Sequence, residues 1–380
     1  MAVDSIKKWI WQHELYPDFR YDKTSLIDLL VKVEYNHGIL NGVIKAFNEE
    51  EIQNIELEAL LNEAVNTSLI EGEYLQRESV RASLLKRLSE KYDLDKDSST
   101  HQSDALAEVL IDCSMNRTAL SVERLHGWHN SLFVTGYSGL QKIKVAGFRE
   151  HDDMEVVSGA IGREKVHYKA PPQVLIENDV NALLKWISAS DENVYIKSAL
   201  AHLWFVSIHP YDDGNGRIAR AIADYILSGS EERHTDFKLY SLSTAIYEQR
   251  KAYYAMLDQT TNLFINRDFD FTSWVKWHLE IINHAMIDAQ KEIEYLVEKT
   301  KFWDKHRTDA LNERQVKVLN KVLSVGKDNF KGGISTKKYM AMTKVSKATA
   351  VRDIQDLVEK DCIEQLEGTS GRNIRYQISF

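Results

Sequence analysis

The feature that most constrains this chain is a twelve-residue stretch that begins where one helical pattern ends and continues into the next, His209-Pro-Tyr-Asp-Asp-Gly-Asn-Gly-Arg-Ile-Ala-Arg220. Apolar residues recur at helical spacing up to Ile208, and a second helical pattern covers residues 215–228. The stretch therefore predicts a loop that enters a helix N-terminus. Its glycines allow backbone N–H groups to turn inward, and the helix end adds partial positive charge, so the loop is typical of an anion-binding site.

The side chains of this stretch extend the prediction to a chemistry. Arg217 and Arg220 lie three positions apart, share a helix face and can reach one polyanion, while Asn215 supplies a further donor. Asp213 is suited to hold a hard cation such as Mg²⁺ between two phosphates. His209 suits proton abstraction from a hydroxyl, because the ordinary pKa of histidine lies near neutrality. Together, the phosphate donors, the cation ligand and the base indicate a reaction in which a hydroxyl attacks a nucleotide phosphate. The alternative, a capped helix start with solvated side chains, would require the whole ordered set to arise by chance.

These residues resemble the motif of the Fic family, HPFxDGNGRxxR, with Tyr211 in place of phenylalanine. Family members are helical proteins that transfer AMP from ATP to a Ser, Thr or Tyr hydroxyl of another protein. The resemblance implies that His209 is the base on the target hydroxyl and that Asp213 is the Mg²⁺ ligand. It implies that the other motif positions hold phosphate: Gly214, Asn215 and Gly216 as a cradle, Arg217 as the neutralising charge, and Arg220 as the contact of the γ-phosphate.

A second stretch, residues 155–170, has short alternating runs around Gly159 that are typical of a β-hairpin. It resembles the Fic flap, a hairpin that binds the backbone of the target protein by strand addition. The resemblance implies that this flap presents the target hydroxyl. It also implies that Val166 and His167 are nucleotide-binding residues.

Two further pairs of residues have both a functional and a structural interpretation. Tyr254, beside Tyr253, resembles the family's wall near the adenine, although such a pair is more often part of a core. His126 and His129 lie three apart, but no further ligands are nearby in the sequence, which favours a structural role over a metal site.

An inhibitory element is implied by residues 67–72, Thr-Ser-Leu-Ile-Glu-Gly. They fit the family's inhibitory pattern of Ser or Thr, three free positions, Glu, and then Gly or Asn. Thr67 and Glu71 are four apart and share a helix face. We expect the Glu71 carboxylate to pair with Arg220, so that ATP binds with its α-phosphate poorly aligned for in-line attack. The alternative is a surface glutamate on an acidic helix.

The C-terminal segment has a different character from the rest of the chain. Helical patterns over 311–323, 335–343 and 346–360, the third capped by Ser346, precede an alternating stretch over 363–378, an order typical of a winged helix. Basic residues lie around its third helix and on the wing: Lys344, Lys347, Arg352, Arg372 and Arg375. DNA binding and protein contact or dimerisation are both open for this segment.

The whole chain is expected to be mainly α. We predict an N-terminal helical cap over 1–100 with the inhibitory helix near 52–72, a Fic catalytic core over 101–270, a linking helix over 271–305, and a winged-helix domain over 306–380. Periodicity within the first three regions predicts these helices: 26–44, 52–69, 75–88, 103–135, 178–208, 215–228, 244–257 and 272–305.

Composition excludes several classes of protein. No run of about 18 apolar residues occurs and the N-terminus has no signal sequence, so we expect no membrane span and a cytoplasmic location. Cys113 and Cys362 lie far apart in no CxxC pair, which argues against disulfides and zinc sites. The net charge of −9 argues against a protein that coats nucleic acid. However, residues 301–380 carry a net charge of +6 and residues 1–300 carry −15, so this exclusion applies only to the larger part.

The favoured function is a protein adenylyltransferase with ATP and Mg²⁺ that is autoinhibited by Glu71. Two alternatives remain: a nucleotide-sensing winged-helix regulator of transcription, or a Fic enzyme that uses another donor or removes AMP. The expected partners are a target protein, DNA if the C-terminal segment binds it, and a second copy of the chain, since dimers control inhibition in the family. The target and its modified residue are not encoded in a recognisable way.

Overall fold

The computed structural model describes residues 7–88, 97–159, 163–229, 238–325, 330 and 332–380. The chain forms two compact units, Met1–Ala289 and Gln290–Phe380. Both are mainly helical with short two-stranded sheets, so the predicted fold class is confirmed. The first unit contains both the predicted cap and the predicted core. Among the described residues, no helix is long and apolar enough to cross a bilayer.

The first unit is built from ten helices among its described residues, and an eleventh begins in it. They are α1 (Ile27–Val43), α2 (Glu49–Ile70), α3 (Arg77–Leu88), α4 (His101–Met115), α5 (Val122–Leu132), α6 (Gln173–Ala189), α7 (Val194–Ile208), α8 (Asn215–Ser228), α9 (Leu242–Glu248), α10 (Arg250–Thr261) and α11 (Thr272–Lys305). Two antiparallel hairpins complete it: β1 (Tyr137–Ser138) with β2 (Gln141–Lys142), and β3 (Glu155–Ser158) with β4 (Lys165–Lys169).

The centre of the first unit is the pair α7 and α8, which pack against each other along the buried face of α8. Nearly every residue of α7 is buried, as expected of a helix that is apolar on all sides. Trp274 of α11 is fully buried and donates its indole N–H to the carbonyl of Ala199 at 2.8 Å. The loop between α7 and α8 therefore starts and ends on helices that are fixed by the core.

Three of the predicted helices are each divided into two in the structure, because apolar periodicity does not mark the residues at which one helix ends and the next begins. The predicted helix over 103–135 becomes α4 and α5, because Asn116 ends the first and its side chain bonds to Thr118, while Ser121 caps the second. The helix over 178–208 becomes α6 and α7, with Asn193 as the cap of the second. The helix over 244–257 is interrupted at Gln249. In the first two, polar side chains satisfy backbone groups that a continuous helix would have bonded internally.

The hairpin β3–β4 rests on the N-terminal segment. Trp9, Tyr168 and Ala170 form an apolar cluster, and the indole N–H of Trp11 donates to the carbonyl of Lys169 at 2.9 Å. The hairpin has a register shift between Val156 and Val157, and residues 160–162 at its tip lie outside the described residues. The predicted hairpin is therefore present, with its base fixed to the first unit.

The second unit contains α12 (Glu313–Val325), α13 (Thr336–Thr343), α14 (Lys347–Glu359) and the antiparallel pair β5 (Ile363–Gln365) and β6 (Tyr376–Ile378). Ser346 caps α14, as the sequence predicts. Arg314 binds both carboxylate oxygens of Asp353, which also accepts the hydroxyl of Tyr339 at 3.0 Å. The elements follow the predicted order, while the winged-helix assignment and its function stay predictions.

Candidate active site

The motif loop opens into a cavity of about 820 Å³ that is lined by four segments of the first unit. They are the loop itself, the flap strands β3 and β4, helix α10, and the C-terminal end of α2. Predicted site residues that line it are Glu71, His167, His209, Asp213, Asn215, Gly216 and Tyr254. A cavity of this size suits a small-molecule ligand.

His209 is held in one orientation at the end of α7. It adopts a left-handed conformation with φ of 49°, and its Nδ1 lies 3.1 Å from the carbonyl oxygen of Val206. Because a carbonyl can only accept, Nδ1 carries the proton and Nε2 has a free lone pair. Burial, together with the smaller effect of the nearby Arg149 guanidinium, lowers the pKa of His209 to about 4. The ring is therefore neutral at pH 7 and able to accept a proton.

Arg149 fixes the start of the loop, and sequence reasoning gave it no role. Its side chain is buried and donates from Nε to the carbonyl of His209 at 3.0 Å, while its backbone N–H donates to the carbonyl of Pro210 at 2.9 Å. It also bonds to the carbonyl of Pro171, after the flap. One guanidinium thus joins the base of the flap to the catalytic loop.

The two histidines of α5 hold Tyr211 rather than a metal. Tyr211 is fully buried, and its hydroxyl lies 2.9 Å from Nδ1 of His126. The ring of His129 stacks on it at 4.1 Å, with Nδ1 accepting from the N–H of Ala146 and Nε2 donating to the carbonyl of Asp213. Burial lowers the pKa of His129 to about 4, so it is neutral. These contacts agree with the structural role that the sequence favours for both histidines.

Close contacts surround the glycines of the loop. Gly214 has φ of 79°, and a Cβ there would lie 2.6 Å from the ring of Phe133. At Gly216 a Cβ would lie 2.3 Å from Oε1 of Glu71. The structure does not place Gly214 in the cavity wall, and its N–H bonds to Asp213 at 2.5 Å. Its role is to shape the loop.

Two of the predicted ligand-binding side chains have other partners. Asn215 bonds with its amide oxygen to the N–H of Tyr211 and with its amide nitrogen to the carbonyl of Tyr211, at 3.0 and 2.8 Å. That side chain holds the loop closed, and its role toward phosphate stays a prediction. Val166 packs into the cluster beneath the flap and does not line the cavity. Strand alternation places His167, its neighbour, on the cavity side instead.

Asp213 is positioned to hold a cation. Its carboxylate accepts from the hydroxyl of Ser138 on β1 and lines the cavity together with Asp212. Asp212 accepts from the backbone N–H of Lys144 at 2.8 Å and lies 3.2 Å from Nε2 of His151. Carboxylate oxygens beside a phosphate site are the donors that Mg²⁺ prefers, so the residues fit this ion.

The two motif arginines are buried and paired with acidic residues at the end of α2. Nη2 of Arg220 lies 2.7 Å from Oε1 of Glu71, and its Nε donates to the hydroxyl of Thr67 at 2.8 Å. Nη1 of Arg217 lies 2.8 Å from Oε2 of Glu73. Burial is the largest single influence on the pKa of Arg220 and lowers it, but Glu71 together with Tyr253 and Tyr254 raises the pKa above its usual value. Within the described chain, Nε of Arg217 and Nη1 of Arg220 have no hydrogen-bond partner, so both retain capacity for an anion.

The other end of the cavity offers an aromatic wall and a carboxylate. Tyr254 is half exposed and donates its hydroxyl to the carbonyl of Ile70 at 3.0 Å, whereas Tyr253 is buried against His202. The prediction that Tyr254 faces the site is therefore consistent with its position. Asp258 of α10 lies 3.9 Å from His167 and has no signal in the sequence, because tertiary packing alone brings it to the flap.

Comparisons with known proteins match two regions of the chain. Residues 119–227 match the Fic/DOC family, and residues 9–89 match a domain of unknown function, DUF4172. The first region contains the whole motif loop. The second contains Glu71 and the segment beneath the flap.

Two curated relatives are similar over short stretches. A uridine 5'-monophosphate transferase of Xanthomonas campestris pv. campestris is 32% identical over 65 residues, which are 15% of this chain and 12% of the relative. A probable protein adenylyltransferase of Aquifex aeolicus is 32% identical over 82 residues, which are 21% of this chain and 23% of the relative. The matches thus span less than a quarter of either relative.

The fold is similar to that of a solved Fic family protein from Desulfovibrio desulfuricans G20, with a TM-score of 0.53 and 18% identity. The similarity covers 95% of this chain and 97% of that one. A Fic domain-containing signalling protein from Bacteroides thetaiotaomicron gives a TM-score of 0.52 at 16% identity, over 69% of this chain and 97% of the other.

Proposed function

Residues 119–227 of this chain match the Fic/DOC family, and from that premise we propose that the chain is a protein adenylyltransferase, which transfers AMP from ATP to a Ser, Thr or Tyr hydroxyl of a target protein. The observation that carries the proposal is the cavity itself. It joins a neutral histidine with a free Nε2 to a loop backed by two buried arginines with unused donors. The similarity to a probable protein adenylyltransferase supports the choice of AMP.

In the proposed reaction, the target hydroxyl oxygen bonds to the α-phosphorus of ATP and pyrophosphate leaves. The proton of the hydroxyl passes to Nε2 of His209, which is unprotonated at neutral pH. Arg217 and Arg220 stabilise the negative charge of the phosphates, and the N-terminus of α8 adds to this stabilisation. Asp213 would hold Mg²⁺, which supplies charge neutralisation when bound.

The proposed autoinhibition follows from the pair of Glu71 and Arg220. A γ-phosphate needs the same guanidinium that Glu71 occupies at 2.7 Å, and Gly216 allows the carboxylate to lie against the loop. ATP that binds beside this pair loses the Arg220 contact, and its α-phosphate is then poorly oriented for attack.

The nucleotide donor is tested by offering Glu71→Gly protein each of the four labelled nucleoside triphosphates with a cell extract. We expect proteins to gain label from ATP, and mass spectrometry to locate an added AMP on a hydroxyl side chain. A similar relative is named a uridine 5'-monophosphate transferase, so label from UTP alone would replace the proposed donor. The same protein incubated with AMP-modified target tests AMP removal.

The proposed target-binding element is the flap. It is a two-stranded hairpin beside the cavity, and Val157 in β3 is half exposed. An edge strand with free backbone groups can bind an extended segment of another protein. Val157→Pro removes a backbone N–H of β3, so it should lower transfer to the target more than it lowers ATP affinity.

The second unit supports a different candidate, binding of DNA. Lys344, Lys347 and Arg352 are exposed around the start of α14, the helix that a winged helix would place in the major groove. The side chain of Arg372 lies outside the described residues. Salt-dependent binding of the full chain to DNA, lost on Lys347→Glu, would favour a regulator. Salt-independent self-association would favour a homodimer instead.

A further inference from the structure

We propose that Glu73 is a second inhibitory carboxylate, which competes with the nucleotide phosphates for Arg217 as Glu71 does for Arg220. The inference rests on the proposed function, and it extends the inhibitory element by a residue that the pattern of residues 67–72 does not include. Each motif arginine would then be occupied by its own carboxylate before ATP binds.

The turn at the end of α2 brings both carboxylates to α8. Glu71 is the last residue with helical conformation, and Gly72 follows with φ of 82°. The N–H of Glu73 then bonds back to the carbonyl of Ser68 at 2.9 Å. This turn carries Glu73 to Arg217 while Glu71 reaches Arg220, one turn further along α8. A single element therefore contacts both arginines.

Arg217 does not need Glu73 in order to stay in place. Its guanidinium lies over the ring of Phe133 at 5.0 Å, and only 7% of its side chain is exposed. The side chain of Glu73 is 35% exposed, and its other contact is a 3.4 Å bond from the amide of Gln102. A phosphate that binds Arg217 can therefore displace the carboxylate into solvent without disturbing the arginine.

The unused donors point to the same competition. Nε of Arg217 is buried and has no hydrogen-bond partner in the described part of the chain, so Glu73 satisfies the guanidinium only in part. A phosphate offers more oxygens and more negative charge than one carboxylate. Replacing Glu71 alone frees Arg220 but leaves Arg217 paired, so such a variant would be incompletely activated.

The experiment compares Glu73→Gln with Glu78→Gln, a matched change of an exposed glutamate in the first turn of α3. ATP affinity with Mg²⁺ is measured by calorimetry on full chains that also carry His209→Ala, so that no turnover occurs. We expect Glu73→Gln to tighten ATP binding about fivefold and Glu78→Gln to leave it unchanged.

In active chains, Glu71→Gly with Glu73→Gln should transfer faster than Glu71→Gly alone. Thermal unfolding checks that each variant is folded.

Two results would overturn the inference. Unchanged or weaker ATP binding by Glu73→Gln would show that Glu73 does not compete with the nucleotide. Tighter binding with slower transfer would show that Glu73 positions Arg217 for the reaction rather than inhibiting it. The proposed function fails separately, if Glu71→Gly binds ATP but labels no protein from any nucleotide; the effect of Glu73→Gln on ATP affinity then still decides the inference.

Discussion

Two segments of the first unit meet at the motif arginines, and they are held in different ways. The loop from His209 to Gly214 is closed by buried contacts: Arg149 binds one end and Asn215 bonds across it. The end of α2 from Thr67 to Glu73 contacts the same arginines through carboxylates that are about one-third exposed. The loop is thus held rigidly, whereas the two carboxylates at the end of α2 are exposed enough for an anion to displace them from the arginines. Under the proposed function, this difference separates catalysis from its control within one site.

The largest effect should come from the base of the fixed loop. His209→Ala removes the proton acceptor and should lower transfer about a thousandfold in a labelled-ATP assay. In the proposed reaction Nε2 contacts the hydroxyl rather than the phosphates, so ATP affinity should not fall. Residual transfer near the wild-type rate would show that another group takes the proton.

The second largest effect on transfer should come from the end of α2, whose carboxylates pair with the motif arginines. Glu71→Gly frees Arg220 and should raise transfer by about tenfold or more, because a charge-assisted hydrogen bond no longer competes with phosphate. Glu78→Gln serves as the control for a change of charge. Equal rates for the folded Glu71→Gly and wild-type proteins would remove Glu71 from the inhibitory mechanism.

A matched pair of glycine substitutions tests the rigidity of the two segments. Gly214→Ala and Gly72→Ala each place a side chain at positive φ, with φ of 79° and 82°, which costs about 1 kcal/mol. Only Gly214→Ala also meets Phe133, at 2.6 Å, whereas no atom lies within 4 Å of a Cβ at Gly72. Urea unfolding should show a loss larger by about 1–3 kcal/mol for Gly214→Ala. Equal losses in the free energy of unfolding would mean that the loop accommodates a side chain as readily as the end of α2 does.

The smallest effect concerns pH. Because burial lowers the pKa of His209 to about 4, the neutral base persists as the pH falls, and activity is lost only near that value. Transfer by Glu71→Gly protein should therefore change little between pH 8 and about pH 5. The free energy of unfolding should decline below about pH 6.5, where histidines of the unfolded chain take up protons that His129 and His209 do not. A rate midpoint near pH 6.5 in folded protein would contradict this environment for His209.

Local sequence determined the parts of the site that depend on spacing and capping. The bounds of α8 and α11 coincide with their predicted ranges, and Ser346 caps α14 as predicted. The pair of Glu71 and Arg220 was predicted as well, because residues 67–72 fit the family's inhibitory pattern and Arg220 is the last arginine of the family's motif. The helix bounds and the cap follow from residues a few positions apart, whose geometry a helix fixes by itself, whereas the pair of Glu71 and Arg220 followed from the family resemblance.

Tertiary structure alone decided the remainder. Arg149, Asp258 and Glu73 reach the site from segments far from the motif, so no periodicity marks them. Val166 faces the cluster beneath the flap and Asn215 bonds within the loop, because strand face and loop closure depend on what packs nearby. The sequence by itself determined which chemical groups the motif loop carries. Packing of α2 against α8 decided which carboxylates cover its arginines, since ion pairs between distant segments form only where the folded core brings them together.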